Sequence, residues 1–250
     1  MQIKGIHELA IAGTKVFIIQ GQKNVLVDTG SAPLHDEVVA FLETTGFPFG
    51  SEEQKKLMKA GAGETIRKFL RENSIPIDVI ICTHCHGDHT GNLKELKEYL
   101  QVPVAVHELD IPVVEGTAQP EPPAHIPPEI MQLLRPAPCT VEFPLLDGEF
   151  FCDDLQVIHV PGHTPGSICL IYNRQALLAG DCLIGKSGGF PAPGPELLNP
   201  PVKMYSADYE QATASLRRLL TCHFDAVLPS HGASLWERGK EEFKKMLHKL

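Results

Sequence analysis

The chain has 250 residues, 43% of them apolar, and 22 Lys and Arg against 31 Asp and Glu, for a net charge of −9. That composition supports an ordinary buried core, and the acidic balance with scattered Lys and Arg excludes a phosphate-tracking surface, so no nucleic-acid partner is expected. The opening MQIKGIHELA has no signal-like apolar stretch, and no run reaches the ~18 apolar residues of a membrane span, so the expectation is a cytoplasmic protein with no membrane partner.

Ile3–Ile11, Lys15–Gln20 and Asn24–Val27 read as three short strands turned at Gly13 and Gly21-Gln22. The third ends in Asp28-Thr29-Gly30, where an Asp taken alone reads as a turn residue. Helical spacing follows over Pro33–Thr45, Glu52–Leu57 and Glu64–Glu72, a helical insertion at about 33–72 interrupted by Phe47-Pro48-Phe49-Gly50. Ile75–Cys82 reads as a strand that empties into the turn of ICTHCHGDHTGN, with a helix over Gly91–Leu100 and a strand over Val104–Val106 beyond it. From Ile111 to Pro144 prolines accumulate, with a turn or two of helix at Pro128–Leu134. Connections this long are uncommon unless they cover a site, so the Pro-rich insertion at about 111–144 is expected to do so. Leu155–Val160 is a strand ending in PGHTPGS, and Ile168–Tyr172 and Gln175–Ala179 pair around Asn173-Arg174 as a hairpin. After a Gly/Pro-rich loop over Gly185–Pro201 come a helix at Asp208–Cys222, a strand at Asp225–Leu228 and a closing helix at Glu237–Leu250. Each half ends a strand in a carboxylate, Asp28 and Asp181, which suggests two similar halves facing each other within one domain spanning 1–250.

His84, His86, Asp88 and His89 fall within six positions at the end of an apolar strand. Imidazole and carboxylate are the ligands borderline divalent metals take. His163, Asp181 and His231 each follow a predicted strand as well. Together they make seven ligands, enough for two adjacent cations with an open water position. One cation would take His84, His86 and His163, and the other Asp88, His89 and His231. Asp181, with two oxygens, could span both. Cys85 is expected to point away from His84 and His86. The seven cysteines, an odd number, fit buried thiols in a reducing compartment.

These residues resemble the motifs of the metallo-β-lactamase superfamily. His-x-His-x-Asp-His is matched at His84, His86, Asp88 and His89, the later histidine at His163 in PGHTPGS, the bridging Asp at Asp181 in LLAGD, the last His at His231 in LPSHG, and the first motif at Asp28 in VDTG. The resemblance implies an α+β, four-layer αββα sandwich with two central mixed β-sheets flanked by helices. It implies two divalent metal ions, zinc first with iron or manganese as alternatives, a bridging hydroxide as nucleophile, Asp88 as ligand and proton shuttle, and Asp28 orienting the histidine loop. His86 argues against flavodiiron-type oxygen reductases, which carry Glu there. Ile184 stands where acyl-homoserine lactonases carry Tyr, and the C-terminus lacks the basic glutathione-binding character of glyoxalase II. The expectation is a small-molecule hydrolase of the glyoxalase II-like and lactonase-like branch, acting on an ester-type bond such as a thioester or lactone. Alternatives are a mononuclear iron enzyme resembling persulfide dioxygenases, a β-lactam hydrolase, and a non-catalytic module that keeps metal for stability. Homo-oligomerisation is left open, with Phe47-Pro48-Phe49 and the Pro-rich insertion as its candidate surfaces.

Overall fold

The structure is a computed structural model that describes residues 3–47, 51–119, 126–188 and 194–250. One sheet runs in the order β1 (Ile6–Ile11), β2 (Thr14–Gln20), β3 (Asn24–Val27), β4 (Val79–Ile81), β5 (Val104–His107) and β6 (Phe143–Leu145). β1 to β3 form an antiparallel meander, and β3 to β6 are parallel neighbours. Parallel pairing requires crossovers, and helices fill them. They are α1 (Asp36–Thr44), α2 (Glu52–Ala60) and α3 (Gly63–Glu72) before β4, α4 (Gly87–Thr90) and α5 (Leu93–Leu100) before β5, and α6 (Ile111–Val114) and α7 (Pro128–Leu134) before β6. The second sheet begins with the antiparallel meander β7 (Phe150–Cys152), β8 (Leu155–His159), β9 (Ile168–Tyr172) and β10 (Ala176–Gly180). A two-stranded ribbon, β11 (Ile184–Gly185) and β12 (Leu198–Asn199), and helix α8 (Tyr209–Ser215) precede β13 (Ala226–Pro229), which returns parallel to β10. Helix α9 (Gly239–Leu247) follows.

Period-two alternation sorts the strand side chains into three apolar layers. Phe17, Ile19, Val25, Val27, Val79 and Ile81 of the first sheet meet Leu155, Val157, Leu170, Leu178 and Leu228 of the second. The alternate residues Val16, Ile18, Leu26 and Ile80 pack outward on Ile66 and Leu70 of α3 and Leu93 and Leu96 of α5. On the far side Ile158, Ile171, Leu177 and Val227 pack on Phe243, Met246 and Leu247 of α9. Both sheets are therefore buried on both faces, and the order of layers is αββα, with both sheets mixed. Among the described residues no helix is long and apolar enough to cross a membrane.

Several expected elements differ in extent. The strand at Ile75–Cys82 shrinks to β4, because Pro76 offers no N–H to a ladder. The helix at Asp208–Cys222 is α8 followed by a 3-10 helix at Leu216–Thr221; over so few residues both periods turn Leu216 and Leu219 inward. The Pro-rich insertion ends earlier than Pro144, since Phe143–Leu145 forms the edge strand β6, where a proline is tolerated. Asp88 and His89 lie on the short helix α4 rather than in a turn. The hairpin at Asn173-Arg174 is present, with φ of 50° and 56° at those two residues, the left-handed pair that a type I′ turn demands. Residues 48–50, 120–125 and 189–193, parts of three segments singled out in the sequence, lie outside the described residues.

Candidate metal centre

β3, β4, β8, β10 and β13 all deliver their C-terminal ends to the place where the two sheets meet. Asp28 follows β3, the run from Thr83 to His89 follows β4, His163 follows β8, Asp181 follows β10 and His231 follows β13. Backbone hydrogen bonds join the sheets there, from Ile168 N to Thr83 O at 2.9 Å and from Lys15 N to Ser230 O at 2.8 Å. The crevice beyond parallel strand ends is the usual place for a site on such a sheet.

The seven predicted residues are brought together in two sets. His84, His86 and His163 offer donor atoms within 4.8 Å of one another, and so do Asp88, His89, Asp181 and His231. His84 Nε2 lies 3.1 Å from His86 Nδ1. Asp181 sits between the sets: Oδ1 is 3.3 Å from His89 Nε2 and 3.4 Å from His231 Nε2, while Oδ2 is 3.6 Å from His163 Nε2. Asp88 Oδ2 lies 3.0 Å from His231 Nε2, and the Asp88 side chain is 39% exposed.

Groups behind the histidines hold their rings. Asp28 is fully buried and left-handed, with φ of 62°, a conformation costly for a non-glycine residue and concentrated at functional sites. Its Oδ1 accepts the Thr83 N–H at 2.7 Å, and its Oδ2 accepts the Thr83 hydroxyl at 2.9 Å and His89 Nδ1–H at 2.9 Å. The Thr83 hydroxyl, spent as a donor, faces His84 Nδ1 at 3.1 Å. Ser206 Oγ donates to Val202 O and so is free to accept from His163 Nδ1 at 3.3 Å. His231 Nδ1 donates to Gly13 O at 2.9 Å. Four rings thus carry the proton on Nδ1 and turn Nε2 inward, the tautomer a cation needs.

Burial, with the neighbouring histidines adding to it, pushes the His84 imidazole well down. Burial also lowers His86, and it takes His163 to about 3. Those three rings are neutral at neutral pH. In the other set burial is overcome by charge. Asp88, Asp181 and Asp28 hold His89 well above its ordinary value, and Asp181 and Asp88 raise His231 to about 9. Against their own burial, Asp88 is lowered by His89 and His231, and Asp181 by His231 and His89.

A cation fits these residues. His89 Nε2, His163 Nε2 and Asp181 Oδ1 are buried without a hydrogen-bond partner among the described residues. Such groups cost about 1–3 kcal/mol each if left unpaired. Here they converge on common points among nitrogen and oxygen donors of the kind divalent metals take. Cys82 and Cys85, at Cys-x-x-Cys spacing, are buried free thiols outside both sets, and burial pushes both well up. Unread in the sequence were Thr83, Ser206 and Asn92, whose Nδ2 donates to Thr29 O and Ser31 O at 2.8 Å each. Common polar residues that act through backbone partners leave no motif. At the end of α7, within the Pro-rich insertion, Leu134 O lies over Gly87, where a Cβ would stand 2.7 Å from it.

A sequence profile of the metallo-β-lactamase superfamily matches residues 12–231. The probable metallo-hydrolase YflN of Bacillus subtilis (strain 168) is 27% identical over 248 residues, covering 92% of this chain and 84% of that protein. A hydroxyacylglutathione hydrolase of Shewanella baltica (strain OS223) is 31% identical over 136 residues, 54% of this chain, and the match spans 44% of that relative's length. Among solved structures, the metallo-β-lactamase family protein TTHA1429 from Thermus thermophilus has a TM-score of 0.66 at 19% identity, covering 99% of this chain and 79% of that one. At that identity the likeness shows the fold alone. TTHA1623, solved in a di-iron-bound form, has a TM-score of 0.56 at 28% identity, covering 94% of this chain and 96% of its own. A family match over most of the length, on the same architecture, makes this chain a member of the metallo-β-lactamase superfamily of metallo-hydrolases.

Proposed function

We propose that the protein hydrolyses a small-molecule ester-type bond, such as a thioester or lactone, at a two-cation centre. His84, His86 and His163 would hold one divalent cation and Asp88, His89 and His231 the other, with Asp181 shared. Zinc suits these donors best, with iron and manganese as alternatives. Bound there, the cations supply Lewis-acid polarisation of a carbonyl and acidify a water. The observation that carries the reading is the Asp181 carboxylate, which turns Oδ1 to His89 and His231 and Oδ2 to His163.

The chain's own groups do the rest. Asp28 keeps His89 in its Nδ1–H tautomer, and Thr83, Ser206 and Gly13 O do the same for His84, His163 and His231. Asp88 is engaged through Oδ2, which leaves its other oxygen to carry a proton from the attacking water to the leaving group. The hydroxyacylglutathione hydrolases among the relatives support an acyl substrate.

The test is metal counting on the purified protein, with a panel of thioester, lactone, β-lactam and phosphodiester substrates. Chelation should abolish hydrolysis, added zinc should restore it, and His86→Ala should lose metal and activity together. Undiminished hydrolysis by a metal-free preparation overturns the reading. The di-iron form of TTHA1623 favours a second reading, iron in these seats. Two irons per chain with the same hydrolysis would select that reading, whereas one iron per chain with oxygen uptake on a persulfide would select a mononuclear iron oxygenase instead.

A further inference from the structure

Asp110 takes no part in the chemistry outlined above. It follows β5, opens α6 and is fully buried. Among the described residues its side-chain hydrogen bonds go to the two loops that carry His84, His86 and His163. Oδ2 accepts the Cys85 N–H at 2.9 Å and the Thr164 hydroxyl at 2.7 Å, and Oδ1 accepts the Gly166 N–H at 2.7 Å. Cys85 stands between His84 and His86, and Thr164 is next to His163. Ser167 completes the clasp, with its Oγ accepting the Thr164 N–H at 2.9 Å. The approach leaves no slack, since a Cβ at Gly166 would stand 2.6 Å from Asp110 Cγ.

His84 and His86 come from the loop after β4 in one sheet, and His163 from the loop after β8 in the other. The backbone bond from Ile168 N to Thr83 O at 2.9 Å ties the outer ends of those loops, and a carboxylate that accepts from both fixes them again at Cys85 and Thr164, beside the histidines. Asp28 is a second buried carboxylate of this kind, accepting from His89 and Ser230 (at 3.4 Å) beside the other set and from Thr83 beside His84. A buried carboxylate is unfavourable unless fully hydrogen-bonded, and an apolar residue would fill either position at less cost if packing were the only demand.

We propose that Asp110 is a positioning residue for the His84/His86/His163 seat, setting the affinity of that seat for a divalent cation. The inference rests on the two-seat reading above. Removing a supporting hydrogen bond of this kind typically weakens metal binding about 10–100-fold. Asparagine at this position keeps the shape but turns an N–H toward one of three N–H or O–H donors.

Cobalt(II) titration of the metal-free protein, followed by visible absorption and bound-metal counting, provides the test. The wild type should take up two cobalt ions, and the phase lost in His163→Ala marks the His84/His86/His163 seat. Asp110→Asn should weaken that phase about 10–100-fold and leave the other unchanged. Thr164→Val should follow Asp110→Asn, and Thr164→Ser should restore wild-type binding, which keeps the test decisive if Asp110→Asn does not fold. Two wild-type phases in folded Asp110→Asn, or in Thr164→Val, overturn the role of Asp110, as does equal weakening of both phases. A wild type that binds fewer than two cobalt ions overturns the two-seat reading and this inference with it.

Discussion

His89 shows at the scale of one residue why the centre is more than a buried polar cluster. Its Nδ1 is satisfied by Asp28, yet its Nε2 is buried with no hydrogen-bond partner among the described residues. A histidine retained for packing would have both nitrogens paired or one in solvent. Gly87, between the two pairs of predicted ligands, makes the same point sterically. On a solvated helix Gly→Ala stabilises by about 1 kcal/mol. At Gly87 the new methyl would stand 2.7 Å from the Leu134 carbonyl, a backbone atom that cannot rotate away. Gly87→Ala should therefore destabilise the metal-free protein by about 1–3 kcal/mol, measured by urea unfolding; stabilisation would mean that the end of α7 yields freely. Residues of this kind differ in legibility. His84 to His89 announce themselves because four ligand types crowd one short stretch. Asp110 sits in His-Glu-Leu-Asp and looks like any surface acid, because its partners lie 25, 54 and 56 positions away.

Among the secondary elements, the ends of strands carry the function and their middles carry the core. β5 and β8 end in His107 and His159, whose rings stack across the two sheets at 4.0 Å and 17°. Burial and the neighbouring His159 push His107 from its ordinary 6.5 down to about 4, against a smaller opposing pull from Asp147. The folded form therefore resists a proton that the unfolded chain accepts below about 6.5. Stability contributed by neutral His107 is complete above that pH and declines as pH falls toward 4, the folded value. Between about pH 7 and pH 5 the loss should be about 1 kcal/mol after allowance for solvent screening. His107→Phe keeps the ring and removes the proton, so its unfolding free energy should fall less over that interval by the same amount; identical pH slopes would rule the contribution out. Strand length also decided what could be read. β9 and β10 are five-residue runs buried throughout, whereas β6 and β7 are three residues each, too short for any period to register.

For the whole molecule, the arrangement brings one neutral set of donors and one charged set to a shared carboxylate. His84, His86 and His163 are pushed down, so a cation at that seat displaces no proton at neutral pH. His89 and His231 are pushed up, His231 to about 9, so a cation at the other seat must expel what they hold. Binding there should strengthen as pH rises toward 9, by about tenfold per pH unit for each proton released, and stay level at the first seat. Calorimetric titration in buffers of different ionisation enthalpy counts the protons, and equal release at both seats would contradict the assignment. The sequence by itself determined the seven candidate ligands, because strand-end placement and ligand spacing are local properties of the chain, and the resemblance of those motifs to a known superfamily implied the αββα class and the place of Asp28 behind the histidine loop. It determined nothing about how the two halves meet. The tautomers imposed by Ser206 and Gly13 O, the approach of α7 to Gly87 and the Asp110 clasp belong to the tertiary structure alone. Each is a contact between residues far apart in sequence, made through backbone groups or common side chains, and only the packing of one sheet on the other brings such groups within hydrogen-bonding range.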